Sequence, residues 1–199
     1  MTDRVSGRVE VVAGPMFAGK TEELLRRVRR AEVAGRRVEV VSHALDTRRG
    51  AGQVSSHAGA AVPSRVADRA EEVATGRDPR TELLAVDEAQ FFGPELVDVV
   101  ERLADDGLVV VVAGLDVTYD GRPFEPVATL SALAERADRL LAVCTVCGED
   151  APFHVRVVAD HDDPSSATVA GHVGGAEKYQ ARCREHFDPV PGPAPWRRV

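Results

Sequence analysis

Gly14-Pro15-Met16-Phe17-Ala18-Gly19-Lys20-Thr21 is the stretch whose reading decides the fold. Its spacing is that of a phosphate-binding loop: glycine, four residues, glycine, lysine, hydroxyl residue. The glycines let the backbone curl until successive N–H groups point inward at phosphate oxygens, and a helix starting at the loop's end adds positive potential. Lys20 is placed to reach the β- and γ-phosphates, and the Thr21 hydroxyl to ligate Mg²⁺. All eight residues, Gly14 to Thr21, are therefore assigned to a nucleoside triphosphate and its magnesium.

Outward from the loop, the pattern is strand then helix. Arg8–Ala13 carries the apolar run Val9, Val11, Val12 and stops at Gly14-Pro15. Thr21–Ala34 places Leu24, Leu25, Val28 and Ala31 at helical spacing, and Gly35 is positioned to end it. Val38–Val41, Leu83–Val86, Leu108–Val112 and Leu140–Val143 read as further strands, with helices over Pro94–Gly107 and Val127–Ala137 between them. Residues 42–64, rich in Ser, Gly and Ala, read as a loop or irregular crossover. Such alternation predicts an α/β fold of the P-loop type, a mainly parallel sheet with helices on both faces.

A second constellation follows the third strand. In Leu83-Leu84-Ala85-Val86-Asp87-Glu88-Ala89-Gln90-Phe91-Phe92, two carboxylates end a buried strand, on the edge where open α/β sheets bind ligands. Asp87 suits the magnesium-holding role, and Glu88 is free to accept a proton from the attacking group. That group is water in an ATPase and a substrate hydroxyl in a kinase, and the pair alone leaves both open. Asp-Glu-Ala-Gln also occurs in helicases, but their two tandem motor domains do not fit in 199 residues.

The composition fits a soluble globular protein, with 44% hydrophobic and 29% charged residues. A net charge of −7 argues against a surface built to hold nucleic acid. No signal-like run and no apolar stretch of membrane-spanning length is present, so the expected location is cytoplasmic, without a membrane partner. After Val143 the texture changes to cysteines, histidines and glycines. We therefore expect a kinase domain over residues 1–142, a second module over 143–188, and a flexible tail over 189–199. Cys144-Thr145-Val146-Cys147 and Cys183-Arg184-Glu185-His186 are two ligand pairs of zinc-knuckle spacing. Cys144, Cys147, Cys183 and His186 together make a closed structural Zn²⁺ site. A nucleic-acid zinc ribbon is a rival reading, opposed by the acidic charge and the phosphate loop.

With these motifs placed, the chain from about Val9 to His186 resembles the cytosolic, tetrameric, zinc-containing thymidine kinases. The resemblance runs through the octet at 14–21, Asp46-Thr47-Arg48, the segment Asp87 to Phe92, and Gly114-Leu115-Asp116. It continues through Arg122-Pro123-Phe124, the cysteine pair at 144 and 147, and Gly174-Gly175-Ala176-Glu177-Lys178-Tyr179 before Cys183-Arg184. It implies transfer of the ATP γ-phosphoryl group to the 5′-hydroxyl of a deoxynucleoside, thymidine and also deoxyuridine, by a homotetramer serving nucleotide salvage. Glu88 then looks like the base for that hydroxyl, assisted by Lys20 and by Arg48 near the transferring group, while Asp46 would accept from the 3′-hydroxyl. Met16, Phe91, Leu115, Phe124 and Tyr179 would enclose the base, and a lasso around Gly174 and Gly175 would bond its edge. Read without the resemblance, Phe91 and Phe92 serve equally well as core residues.

The chain departs from the family pattern at a few positions. His154 stands where a small hydroxyl residue beside the base methyl is common, and His172 near a usual lasso valine. Tyr119 replaces a phenylalanine, and His186 a frequent cysteine. Thymidine remains the expected substrate, with preference at the base 5-position open to change.

Overall fold

The structure, a computed structural model, describes residues 7–45, 53–55, 61–157 and 177–188. In chain order these hold β1 (Arg8–Gly14), α1 (Lys20–Val33), β2 (Val38–His43), β3 (Gln53–Ser55), β4 (Ala61–Pro63), β5 (Arg65–Ala67) and α2 (Ala70–Thr75). There follow β6 (Leu83–Asp87), a short 3-10 turn (Ala89–Phe92), α3 (Leu96–Asp105), β7 (Val109–Leu115), α4 (Val127–Leu133) and β8 (Arg136–Arg139). The last elements are β9 (Ala142–Val143), β10 (Asp150–Ala151), β11 (Phe153–Arg156) and β12 (Tyr179–Arg182).

Six strands form one sheet in the order β5-β2-β6-β7-β1-β8, and every neighbouring pair is parallel. Strand alternation sorts its residues onto two faces. Val9, Val11, Val41, Leu84, Val86, Val110 and Val112 point to one face, where α3 and α4 bury Leu96, Val100, Val127 and Leu130. Val12, Val40, Ala85, Val109, Val111 and Ala113 point to the other, under Leu24, Leu25, Val28 and Ala31 of α1. Val54 of β3 and Val62 of β4, paired as an antiparallel hairpin, add to this second face. Such burial on both faces explains why β6 up to Val86, and all of β7, are apolar.

The helices α1 and α3 end by the same device. Behind α1, Arg36 N–H bonds Ala31 O and Gly35 N–H bonds Glu32 O; behind α3, Leu108 and Gly107 repeat this with Leu103 and Ala104. Gly35 and Gly107 sit at φ 75° and 94°, as this closure requires.

Two expectations are corrected at the far edge of the sheet. The last sheet strand is Arg136–Arg139, paired with β1, and not Leu140–Val143. Ala142–Val143 instead pairs antiparallel with β10 in the cysteine-bearing module. The helix before it stops at Leu133, because Ala134 turns to extended geometry. An edge strand is only half covered, so charged residues suit it better than an apolar run. Residues 42–64 are also less irregular than expected: β2 runs on to His43, and the hairpin of β3 and β4 lies beyond it. Residues 46–52 and 56–60 of that segment lie outside the described residues.

Candidate active site

The C-terminal ends of β1, β6 and β7 lie side by side, and each delivers part of the site. From β1 the chain turns through the phosphate loop into α1. Phe17 at φ 68° and Gly19 at φ 80° curl it, and Lys20 opens the helix. Gly14 is required by close approach: a Cβ there would come 2.5 Å from the Leu140 carbonyl oxygen. Lys20 Nζ donates to the Pro15 carbonyl at 2.7 Å, so the ammonium is folded over its own loop.

From β6 come the carboxylates. Asp87 is buried, at 3% exposure, and its Oδ2 accepts the Thr21 hydroxyl at 3.0 Å. Its other oxygen, Oδ1, accepts the Glu88 backbone N–H at 3.0 Å. Glu88 is left-handed, at φ 52°, and this turns its side chain away from the strand direction. The two carboxylates thus face different partners, Asp87 the Thr21 hydroxyl and Glu88 the Gln90 amide.

From β7 and the segments beyond it comes an apolar cluster: Met16, Leu115, Phe124 and Tyr179, with Tyr119 packed against it. Met16 belongs to the phosphate loop itself, so the cluster begins where the triphosphate site ends. Phe91, expected beside these residues, is buried with its ring 5.8 Å from that of His43. Phe92 joins the main core and meets the same His43 ring edge-on at 4.6 Å. His154, on β11 opposite Ala181 of β12, is fully buried, and its ring meets Tyr179 edge-on at 5.7 Å. It therefore stands beside a wall of the cluster.

Cys144, Cys147, Cys183 and His186 bring one ligand atom each to within 4.8 Å of one another and can hold a metal ion. Cys147 Sγ is 3.7 Å from Cys183 Sγ, and Cys183 Sγ is 3.1 Å from His186 Nδ1. The pKa of the Cys144 thiol is lowered to about 6; burial opposes this, and hydrogen bonds from the backbone N–H groups of Cys183, Val146 and Cys147 outweigh it. A thiolate is the form a metal binds. Ala142, Cys144, Ala151, Ala181 and Cys183 form a small core of their own, and Ala18 of the phosphate loop packs on it. The small core around Cys144 and Cys183 and the phosphate loop are thus in direct contact.

A thymidine kinase family model matches residues 7–187 of the chain. The chain belongs to the thymidine kinase family. Among its relatives, a thymidine kinase of Halobacterium salinarum is 48% identical over 187 residues, covering 90% of this chain and 93% of its own length. One of Haloquadratum walsbyi is 43% identical over 216 residues, covering 90% and 94%, and one of Bdellovibrio bacteriovorus 43% over 183 residues, covering 92% and 86%.

In this family member, the described residues bring together the phosphate loop, Asp87, Glu88 and the apolar cluster, and, separately, the four residues of the cysteine–histidine cluster. Asp46, Arg48, His172, Gly174 and Gly175 lie outside the described residues, as does the tail 189–199. Three features of the site escaped the sequence reading. Gln90 Nε2 donates to Glu88 Oε2 at 2.5 Å, and Gln90 Oε1 accepts the Leu115 N–H at 3.0 Å. His43 accepts the Leu45 N–H at Nδ1, 3.0 Å away, so its proton sits on Nε2 and is given to the Asp68 carbonyl at 3.2 Å. Asp116 Oδ2 accepts from Arg139 Nε at 2.5 Å, and Arg139 Nη2 reaches the Pro152 carbonyl at 3.1 Å, tying β7 and β8 to the start of β11. The sequence signals for them were Gln90's place two residues after Glu88 and Asp116's place in Gly114-Leu115-Asp116; neither pointed to these contacts.

Proposed function

We propose that this chain phosphorylates the 5′-hydroxyl of thymidine, and of deoxyuridine, with ATP as donor, supplying monophosphate for salvage. The observation that carries the reading is the continuity of Met16: one residue is both part of the phosphate loop and part of the apolar cluster. An acceptor whose flat ring lies among Met16, Leu115, Phe124 and Tyr179 has its ribose next to the γ-phosphate. An ATPase has no need of such a cluster.

In the reaction, Glu88 takes the proton of the 5′-hydroxyl, whose oxygen forms a bond to the γ-phosphorus as the bridging P–O bond to the β-phosphate breaks. ADP carries away the electrons of that bond, and loop N–H groups and Lys20 hold the phosphates in line. Lys20 must leave the Pro15 carbonyl to do so. Thr21 and Asp87, already in contact, would hold Mg²⁺, which neutralises charge on the β- and γ-phosphates. Arg48 and Asp46 are assigned to the transferring group and the 3′-hydroxyl, and Gly174 and Gly175 to the base edge, on the family resemblance.

Zn²⁺ fits the cysteine–histidine site. Zn–S bonds of about 2.3 Å at the tetrahedral angle would place two sulfur atoms about 3.8 Å apart, close to the 3.7 Å between Cys147 and Cys183. Protein would fill all four positions, so the ion would be structural. Residues 143–188 read as one module on the grounds of their separate small core, residues 1–142 as the kinase domain, and 189–199 as a tail. A homotetramer in the cytoplasm follows the family resemblance; no described helix is long and apolar enough to cross a membrane.

A nucleoside panel tests the reading. Thymidine should give the highest kcat/KM, with deoxyuridine next; another nucleoside preferred by orders of magnitude refutes the substrate. Glu88→Gln should lower kcat by about 10²–10⁴ while ATP still binds.

A further inference from the structure

We propose that Gln90 is a positioning residue that fixes the Glu88 carboxylate relative to the nucleoside pocket. The proposal deepens the reading of Glu88 as the base and rests on it. Gln90 lies in the 3-10 turn after β6 and is 1% exposed. At that burial both ends of its amide must be satisfied, and they are. The Oε1 end accepts the backbone N–H of Leu115, the last residue of β7 and a member of the apolar cluster. The Nε2 end donates to Glu88 Oε2. A backbone N–H can only donate and an ionised carboxylate can only accept, so these two partners leave the amide one orientation.

The surroundings are built around this side chain. Gly114 could not be any other residue without disturbance, because a Cβ there would meet Gln90 Oε1 at 2.8 Å and Val127 Cγ2 at 2.7 Å. Glu88 itself is held from behind, its N–H on Asp87 Oδ1. Glu88 is thus spanned between the magnesium-holding carboxylate on one side and, through Gln90, the pocket wall on the other. A general base works only within hydrogen-bond reach of the proton it removes, so the link sets how often the carboxylate is in place. The Gln90 N–H also favours the ionised form of Glu88, the form that accepts a proton.

Gln90→Met, which keeps the volume and removes both hydrogen bonds, is the test. Thymidine kinetics should show kcat lower by about 10–100-fold, with KM for ATP and for thymidine within about threefold of wild type. The acidic limb of the kcat profile should move to higher pH, because Glu88 has lost a donor to its charged form. Among the described residues, the other titratable groups in contact with the turn are Asp87 and, through Phe91 and Phe92, His43; the variant leaves both in place. Gln90→Glu should move the limb further, since a second carboxylate cannot donate and repels Glu88. Gly114→Ala, which displaces the amide without deleting it, should lower kcat in the same KM-independent way. Thermal denaturation of each variant checks that folded enzyme is compared.

A Gln90→Met enzyme with kcat within twofold of wild type, or with an unmoved acidic limb, overturns the proposal. So does a loss confined to KM. Glu88→Gln run alongside separates the two claims: if it keeps full activity, Glu88 is not the base. If it is inactive while Gln90→Met is normal, only the positioning role is wrong.

Discussion

Replacing Arg27 by methionine should cost about 2 kcal/mol of stability, and the structure shows why the figure is neither zero nor five. Arg27 is 6% exposed beneath α1 and meets three carboxylates. Its Nη1 pairs with Glu10 of β1 at 2.9 Å, its Nε with Glu23 one turn earlier at 2.9 Å, and its Nη2 with Asp138 of β8. Removing one partner of a buried ion pair costs about 3–5 kcal/mol when the other charge is stranded. Here none is stranded: Glu10 keeps Arg8 at 2.7 Å, Glu23 keeps Arg26 at 2.6 Å, and Asp138 keeps Arg136 at 2.7 Å. Those second arginines are more exposed and contribute less. At about 2–4 °C per kcal/mol for a chain of this size, Tm should fall by about 4–8 °C. Scanning calorimetry reads it. The double variant Arg8→Met, Arg27→Met leaves Glu10, 8% exposed, without either cation. It should therefore lose more than the sum of the two single changes. A Tm unchanged in Arg27→Met, or a double variant that is simply additive, refutes this account of how α1 is held to the sheet.

Loss of the metal should be felt at both substrate sites. Cys183→Ser should reduce bound metal and raise KM for thymidine through Tyr179 on β12, and KM for ATP through Ala18, each several-fold; metal analysis paired with kinetics checks this. Burial lowers the pKa of His43 from its ordinary value near 6.5, and its bond from Leu45 N–H needs the neutral ring. Below about pH 6.5 the unfolded chain takes up a proton that the native ring resists, so stability should fall as pH drops from there. Urea midpoints at pH 7.5 and 5.5 should show a smaller difference in His43→Phe than in wild type.

Much of this fold could be read from the chain because its determinants are local. The octet 14–21 sits between a valine-rich strand and a helix with Leu24, Leu25 and Val28 on one face, and the structure has that sequence of elements. The cysteine and histidine pairs announced their cluster by spacing alone. Where reading failed, the deciding interaction was distant or incomplete. Arg136–Arg139 is too charged to look like a strand, yet it needs cover on one side only, from β1 and α4. Leu140–Val143 looked like one strand but divides its residues: Leu140 packs against the main sheet, Ala142 enters the small core around Cys144 and Cys183, and Leu141 and Val143 are exposed. Gln90 and His43 were invisible for a related reason. Their partners, Leu115 and Asp68, are 25 residues further along the chain, so only the folded sheet brings them into contact.

ADP release measured with and without thymidine tests the central claim most directly. The purified protein, given ATP and Mg²⁺, should form ADP only when thymidine is present, with thymidine 5′-monophosphate appearing in equal amount. ATP hydrolysis at the same rate in the absence of any nucleoside would contradict it, leaving the phosphate loop and Asp87-Glu88 as parts of an ATPase.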